Sequence, residues 1–353
     1  MPECSKDRAA QDLIRLRRTE KTILYKTLFV INPLSGGGRA LKVWARARPE
    51  IVRRGLDFTE HFTVGPGDAA IATRQALAID TGQVVAVGGD GTLNEVVNGY
   101  FDPDGCPVNP LARLAILAGG TGSDFGKSLY GGECGSGAGF DSRSGAHDPK
   151  SDGIEKTVNA LAGSDSRLVD AGLIRCRNKD GDPVTRFFIN VVSFGLGGDV
   201  SRLVNGWRGR LPGWIGGRTR FAAAAIRALA HYKTTAVTVR TDQSEVKVES
   251  NLLVIANGRF AGGGMMLAPQ AQIDDGLFDI VITDRASRLD VIRELPRIRR
   301  GGYIDNPRVR LLRAPEVSLM TERRVPLDID GESGDYAPAR LSVVPSAIRF
   351  AAF

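Results

Sequence analysis

The chain has 353 residues, of which 42% are hydrophobic and 25% charged, an ordinary globular composition and too much chain for one small core. Its formal net charge of +7 favours a polyanionic partner: nucleotide, nucleic acid or an anionic membrane face. No nucleic-acid motif accompanies the charge, so no nucleic-acid partner is expected; no apolar run approaches the roughly 20 residues that span a bilayer, and Cys4, Cys106, Cys134 and Cys176 lack C-x-x-C spacing, which excludes a zinc knuckle and suits a cytoplasmic setting.

Met1–Lys26 is charged, lacks the apolar stretch of a secretory signal and reads as an N-terminal extension over 1–26. Leu28–Ile31 is a strand, and Asn32-Pro33-Leu34-Ser35-Gly36-Gly37-Gly38 is a glycine turn that opens a helix near Arg39. A further helix around Ala47–Arg54, a strand at Asp57–Thr63 and a helix from Gly67-Asp68-Ala69 through Leu77 follow. Val84–Val87 is a buried parallel strand that runs into Gly88-Gly89-Asp90-Gly91-Thr92-Leu93-Asn94-Glu95. There Thr92-x-x-Glu95 reads as a capping box, starting a helix with the apolar stripe Leu93, Val96 and Val97 that Gly99 ends. A strand, a glycine turn and a helix start aim N–H groups at one spot, which attracts phosphate. Asp90 stands in that spot; a carboxylate beside phosphates is repulsive unless a divalent cation lies between, so it argues for Mg²⁺ as well as nucleotide.

Leu114–Leu117 is the next strand, and Ala118-Gly119-Gly120-Thr121-Gly122-Ser123-Asp124-Phe125 is a third glycine turn. Gly126-Lys127-Ser128 imitates the end of a Walker P-loop, but the first glycine of that motif would fall on Thr121, so the motif is absent. Gly131–Gly153 reads as a surface insertion before a helix at Ile154–Ala162. Strands alternating with helices predict a doubly wound, three-layer α/β/α nucleotide domain over 27–168. From about Ser166 the pattern changes to many strands, the last being Leu341–Val344 and Ile348–Phe350, with helices only at Thr219–Tyr232 and Arg288–Arg300. That composition predicts a mainly antiparallel sandwich or barrel over 169–353.

Several of these motifs, in this order, resemble the diacylglycerol kinase catalytic-domain family, the soluble lipid kinases that include sphingosine and ceramide kinases. They are Asn32-Pro33-x-Ser35-Gly36, Gly88-Gly89-Asp90-Gly91-Thr92-x-Asn94-Glu95, Gly120-Thr121-Gly122-Ser123-Asp124-Phe125, Phe188-Ile189-Asn190 with Phe194–Val200, Asn257–Gly264 with Pro269-x-Ala271-x-x-Asp274-Asp275-Gly276, and Asp330-Gly331-Glu332. Ser123 stands where the family usually has Asn. The resemblance implies an active site in a cleft between an α/β domain and a β-sandwich, with the chain's end returning toward the hinge.

The same resemblance implies an ATP- and Mg²⁺-dependent kinase acting on a lipid hydroxyl at a membrane surface, peripheral on the inner face rather than spanning. Nucleotide would be held by Asn32, Pro33, Ser35, Gly36, Thr63, Gly88, Gly89, Asp90, Gly91, Thr92, Leu93, Asn94, Glu95 and Thr121. Asp90, Asp124 and Asp170 are candidates for the catalytic Mg²⁺, and Asp275 with the carbonyls of Gln272 and Leu277 for a separate structural cation, against a plain turn. Glu332 is the candidate base that takes the acceptor's proton, with Asp330 as second choice or as its orienter; without the other motifs Asp-Gly here would be a hairpin turn. Trp207–Trp214 and Arg293–Arg300 are candidates for headgroup contact, against a solvated face. NAD kinase is the rival enzyme and a non-catalytic nucleotide-binding module, suggested by Ser123, the rival class. The acceptor stays open among glycerolipids, sphingoid bases and prenyl or glycolipid alcohols, and a homodimer stays open as well.

Overall fold

The computed structural model describes residues 25–120, 123–130, 149–195, 234–285 and 288–352, together with residues 203 and 227. Thr121, most of the 1–26 extension and of the 131–153 insertion, the Trp207–Trp214 loop and, apart from residue 227, the expected helix Thr219–Tyr232 lie outside the described residues.

The four apolar runs of the first half form β1 (Thr27–Ile31), β2 (Phe58–Phe62), β3 (Gln83–Gly88) and β4 (Arg113–Ala118), all parallel in the order β2-β1-β3-β4. Side chains alternate between two cores: Leu28, Val30, Val84 and Ala86 enter one, while Phe29, Ile31, Val85 and Val87 enter the other. Helices α1 (Arg39–Arg53), α2 (Asp68–Ile79), α3 (Asp90–Gly99), α4 (Asp124–Leu129) and α5 (Pro149–Ala162) follow these strands. Leu77, Leu93, Val96 and Val97 of α2 and α3 cover the first face; Trp44 and Ile51 of α1 with Val158 and Leu161 of α5 cover the second. Strand order reverses at β1, so the turns after β1 and β3 flank the switch point, where ligands bind in such sheets.

Two local expectations are corrected and a third holds. The two helices expected over 39–54 are one, because Ala40, Trp44, Ala47 and Ile51 keep a single buried face past Pro49. Thr92 starts no helix: α3 begins at Asp90, two residues earlier, with Gly89 at its cap and no side-chain cap bond. Gly99 is the last residue of α3, as expected, and there α3 crosses α2 so closely that a Cβ would sit 2.5 Å from Thr73 Cβ and 2.7 Å from the Ala70 carbonyl oxygen.

The second half is β5 (Ser166–Asn178), β6 (Pro183–Phe188), β7 (Val191–Gly195), β8 (Thr235–Arg240), β9 (Glu245–Ala256), β10 (Phe260–Ala261), β11 (Met265–Met266), β12 (Phe278–Asp284), β13 (Val309–Ala314), β14 (Glu316–Met320), β15 (Val325–Ile329) and β16 (Glu332–Ala351), with α6 (Arg288–Ile298). Its pairings are antiparallel, and Ile174, Phe188, Phe194, Leu253, Ile280, Leu327 and Leu341 fill the core between its layers. The strands expected at Leu341–Val344 and Ile348–Phe350 are parts of the 20-residue β16. Pro345 and Ser346, which read as a break, sit instead at a register shift between Val344 and Ile348. The start of β16 pairs with β15, and its end pairs in parallel with β4, Arg349 opposite Arg113 and Phe350 opposite Leu114. One sheet therefore runs through both halves and fixes the hinge. No helix among the described residues is long and apolar enough to cross a membrane.

Gly99→Ala separates two opposed effects. Alanine in a helix interior normally gains up to about 1 kcal/mol over glycine, whereas forcing a methyl into packed backbone costs about 1–3 kcal/mol. Ala70 contributes backbone that cannot rotate away, so urea denaturation should find the variant less stable; a gain in stability would contradict this packing.

Candidate active site

The three glycine turns meet at the end of the parallel sheet. Asn32 makes the first turn rigid: its Oδ1 accepts from Leu34 N–H at 3.1 Å, and its Nδ2 donates to Thr92 Oγ1 at 3.0 Å. Thr92 thus braces the first turn instead of capping α3. Gly36, at φ 61, lets the chain pass so close to the Gly119 carbonyl that a side chain would collide with it. The Gly88 carbonyl accepts from Gly119 N–H at 2.8 Å and from Gly120 N–H at 2.9 Å, so those two N–H groups join the turns rather than face a ligand. Ser35 Oγ stands over Gly89 in the same cradle, 3.4 Å from where its Cβ would lie. The first-turn N–H groups of α3 open onto this cradle with no side chain capping them. Thr63, at the end of β2, joins the rim through its N–H bond to the Ile31 carbonyl at 2.9 Å.

Asp90, half-buried at the start of α3, has its carboxyl pushed up to about 7 by burial and then by the charge of Asp124; hydrogen bonds from the N–H groups of Asp124 and Phe125 oppose the rise. Two carboxyls crowded in this way suit a divalent cation. Mg²⁺ commonly takes one or two carboxylates and completes its shell with phosphate and water, so Asp90 fits as a ligand. Asp124 is more committed, since Lys127 Nζ lies 2.9 Å from its Oδ1 and Gly263 N–H donates to its Oδ2 at 2.7 Å. Among the described residues no three acidic, His or Cys side chains gather into a metal cluster.

Asp170 leaves the metal set: Ser346 and Gly276 N–H groups donate to its two carboxylate oxygens, each at 2.7 Å, which pins β5 to β16 and to the loop before β12. The second cation site does not fit either. Arg313 pairs with Asp275 and supplies the positive charge, while Leu277 N–H donates to Asp275 Oδ1 at 3.1 Å, leaving the Gln272–Leu277 stretch a turn.

Asp330 and Gly331, at φ 50 and φ 87, form the two-residue turn between β15 and β16. Both central residues lie in the left-handed region, as a type I′ hairpin requires. The turn is a hairpin, and it also aims Glu332 across the cleft: a Cβ added at Gly91 would lie 2.8 Å from Glu332 Oε1. Asp330 is held in the scaffold of the turn. Its buried carboxylate accepts from the N–H groups of Ile189 at 2.8 Å, Asn190 at 3.0 Å and Val191 at 2.9 Å, and from Asn94 Nδ2 at 2.9 Å. Burial pushes this carboxyl up and those four donors oppose the rise.

Other members of the expected nucleotide set serve the scaffold. Leu93 is core. Asn94 also donates to the Phe187 carbonyl at 3.2 Å, and Glu95 accepts from Ala69 N–H at 3.2 Å, a carboxylate at the start of α2. Asn98, unassigned from sequence, exchanges two 2.9 Å bonds with the Phe187 backbone, and the Phe101 and Phe187 rings stack with centroids 3.6 Å apart. The signal was available in two asparagines four apart, on one face of the helix. Asn257, which opens the Asn257–Gly264 motif without an assigned role, donates through its Nδ2 to the carbonyls of Asp170 at 2.9 Å and Ile189 at 2.7 Å.

A glycine-turn cradle faced by a carboxylate from the β-sandwich is the arrangement that the lipid-kinase resemblance implies. Residues 26–167 match the family model described as diacylglycerol kinase catalytic domain, and residues 190–352 match the one described as YegS C-terminal NAD kinase beta sandwich-like domain. The chain belongs to the diacylglycerol kinase catalytic-domain family. It is 26% identical over 314 residues to a diacylglycerol kinase of Staphylococcus carnosus, covering 88% of this chain and 89% of that one. It is 27% identical over 336 residues to one of Mycobacterium tuberculosis, covering 95% and 96%. Its fold matches the crystal structure of a candidate diacylglycerol kinase from Bacillus anthracis with a TM-score of 0.71 at 21% identity, covering 95% and 98%.

Two variants test the site's geometry. Gly91→Ala places a methyl against Glu332 in the first turn of α3; kcat should fall about 10- to 100-fold, as for a misplacement of about 1 Å, with urea stability unchanged or raised. Asp90→Asn removes a carboxyl that the folded state holds protonated up to about pH 7. Between the ordinary carboxylate range and pH 7 the native state binds the extra proton, so Asp90 lowers stability as pH rises through that window. The variant should melt several degrees above wild type at pH 8 and level with it at pH 4; equal melting at pH 8 would remove Asp90 from the buried pair.

Proposed function

We propose that the protein transfers the γ-phosphoryl group of ATP to the hydroxyl of diacylglycerol or a closely related lipid, working peripherally at the cytoplasmic membrane face. The observation that carries this reading is the meeting of Glu332 with Gly91, a carboxylate from one domain facing the phosphate cradle of the other. The family's lipid-kinase character supports a lipid rather than a dinucleotide acceptor.

In this reading the cradle at Asn32, Ser35, Gly36 and Gly89–Thr92 receives the phosphates. Glu332 accepts the proton of the acceptor hydroxyl as that oxygen attacks the γ-phosphorus in line, and ADP leaves on the opposite side. Asp90 would hold Mg²⁺ with Asp124 behind it, and the ion would neutralise charge on the β- and γ-phosphates. The type I′ turn fixes the direction of Glu332, and Asp330 fixes the turn.

Glu332→Gln keeps shape and removes the proton acceptor. With labelled ATP and dioleoylglycerol in mixed micelles, kcat should fall at least about 100-fold, while the ATP dissociation constant stays within about threefold of wild type. Full activity would remove Glu332 as base. Offering NAD in parallel separates the rival: labelled NADP without labelled phosphatidic acid would overturn the lipid reading.

A further inference from the structure

β10 and β11 make a short hairpin whose two faces differ. Ala261 and Met265 are cross-strand partners and pack onto the core formed by Leu267, Ala271, Ile298 and Tyr303. Phe260 and Met266, the other cross-strand pair, take the opposite face by strand alternation. Both are half-buried, and neither enters an apolar core cluster among the described residues. Met266 Sδ lies 2.8 Å from where a Cβ of Gly301 would stand, and Pro269 Cβ lies 2.9 Å from the same point.

One edge of the hairpin joins the site. Arg259 N–H donates to Ser128 Oγ at 2.9 Å, and Gly263 N–H at the hairpin tip donates to Asp124 Oδ2 at 2.7 Å. Lys127 Nζ lies 5.9 Å from the Phe260 ring centroid while it holds Asp124. Asp124 in turn crowds Asp90, next to Gly91 and Glu332. The Asn190 side chain, whose backbone N–H holds Asp330, donates to the Phe260 carbonyl at 2.8 Å. A platform of ring and thioether therefore starts at an ammonium beside the reacting centre and leads away from it.

We infer that the Phe260–Met266 face of this hairpin is the acceptor wall, carrying the acyl chain nearest the reacting hydroxyl, with Lys127 at its polar end facing the phosphate that the product acquires; this rests on the lipid-kinase reading above. Phosphoryl and alkyl parts of one amphiphile need opposite surroundings within a few ångströms. The hairpin offers both. A thioether beside a ring adapts to chains of different shape, and a cation at a half-exposed site binds a phosphate more strongly than it binds an alcohol.

The test compares didecanoylglycerol with dibutyrylglycerol for full-length wild type, Phe260→Ala, Phe260→Leu and Met266→Ala. In Phe260→Ala the preference in kcat/KM for the longer acceptor should shrink about tenfold, Phe260→Leu should restore most of it, and KM for ATP should stay within about twofold. Equal losses on both acceptors, an unchanged preference, or a raised KM for ATP would overturn the wall. Wild type is also photolabelled with a diazirine-bearing diacylglycerol: labels in residues 259–266 support the wall, and labels confined elsewhere overturn it. Labelling there by a protein that phosphorylates no lipid alcohol would sink the proposed reaction and leave the wall standing.

Discussion

The carboxylate of Asp330 is the interaction on which the two halves depend. An ion of this size loses several kcal/mol of hydration on burial. Here three successive backbone N–H groups and one side-chain amide surround it, and charge-assisted bonds of that kind are the strong ones. The three N–H groups lead into β7, the amide is on α3, and the carboxylate is in the turn that carries Glu332. One buried charge thus sets Glu332, helix α3 and the sandwich in a common frame. Asn98 and the stacked rings of Phe101 and Phe187 repeat the join one helical turn further on.

Stability and chemistry pull in opposite directions at Asp90. The helix start would be more comfortable with a neutral side chain, since burial and Asp124 both resist its ionisation. In the proposed reaction a carboxylate there would hold the ion that accompanies the phosphates. Local rules broken at such a position mark function, provided the surrounding structure holds the group in place. Asp170 shows the contrast: more deeply buried than Asp90, it accepts a backbone N–H on each carboxylate oxygen and ties β5 to the hinge.

Much of the site was legible in the chain because its signals are local. A buried strand followed by small residues must turn tightly, and glycine turns after successive parallel strands must come out at the same end of the sheet. The Asn32, Gly36 and Gly88–Thr92 turns are local in this sense, and so is the hairpin propensity of Asp330-Gly331. Partner choice is not local. Thr92 and Glu95 have the right spacing for a capping box, but Asn32 and Ala69, 60 and 26 residues away in sequence, supply their bonds. Asp275 has the surroundings of a cation ligand until Arg313 arrives from a strand 38 residues on.

By itself, then, the sequence determined the element types, the doubly wound first half, the β-rich second half and the residues able to meet phosphate, because hydrophobic period and turn chemistry are properties of neighbouring residues. Only the tertiary structure decided which carboxylates face the cleft and which are scaffold. Glu332 and Asp330 stand two residues apart in one motif, yet one faces Gly91 across the cleft and the other is locked among backbone donors. The difference lies in what the opposite domain brings to each oxygen, and that is set by β16 crossing from the sandwich into the sheet of the first domain.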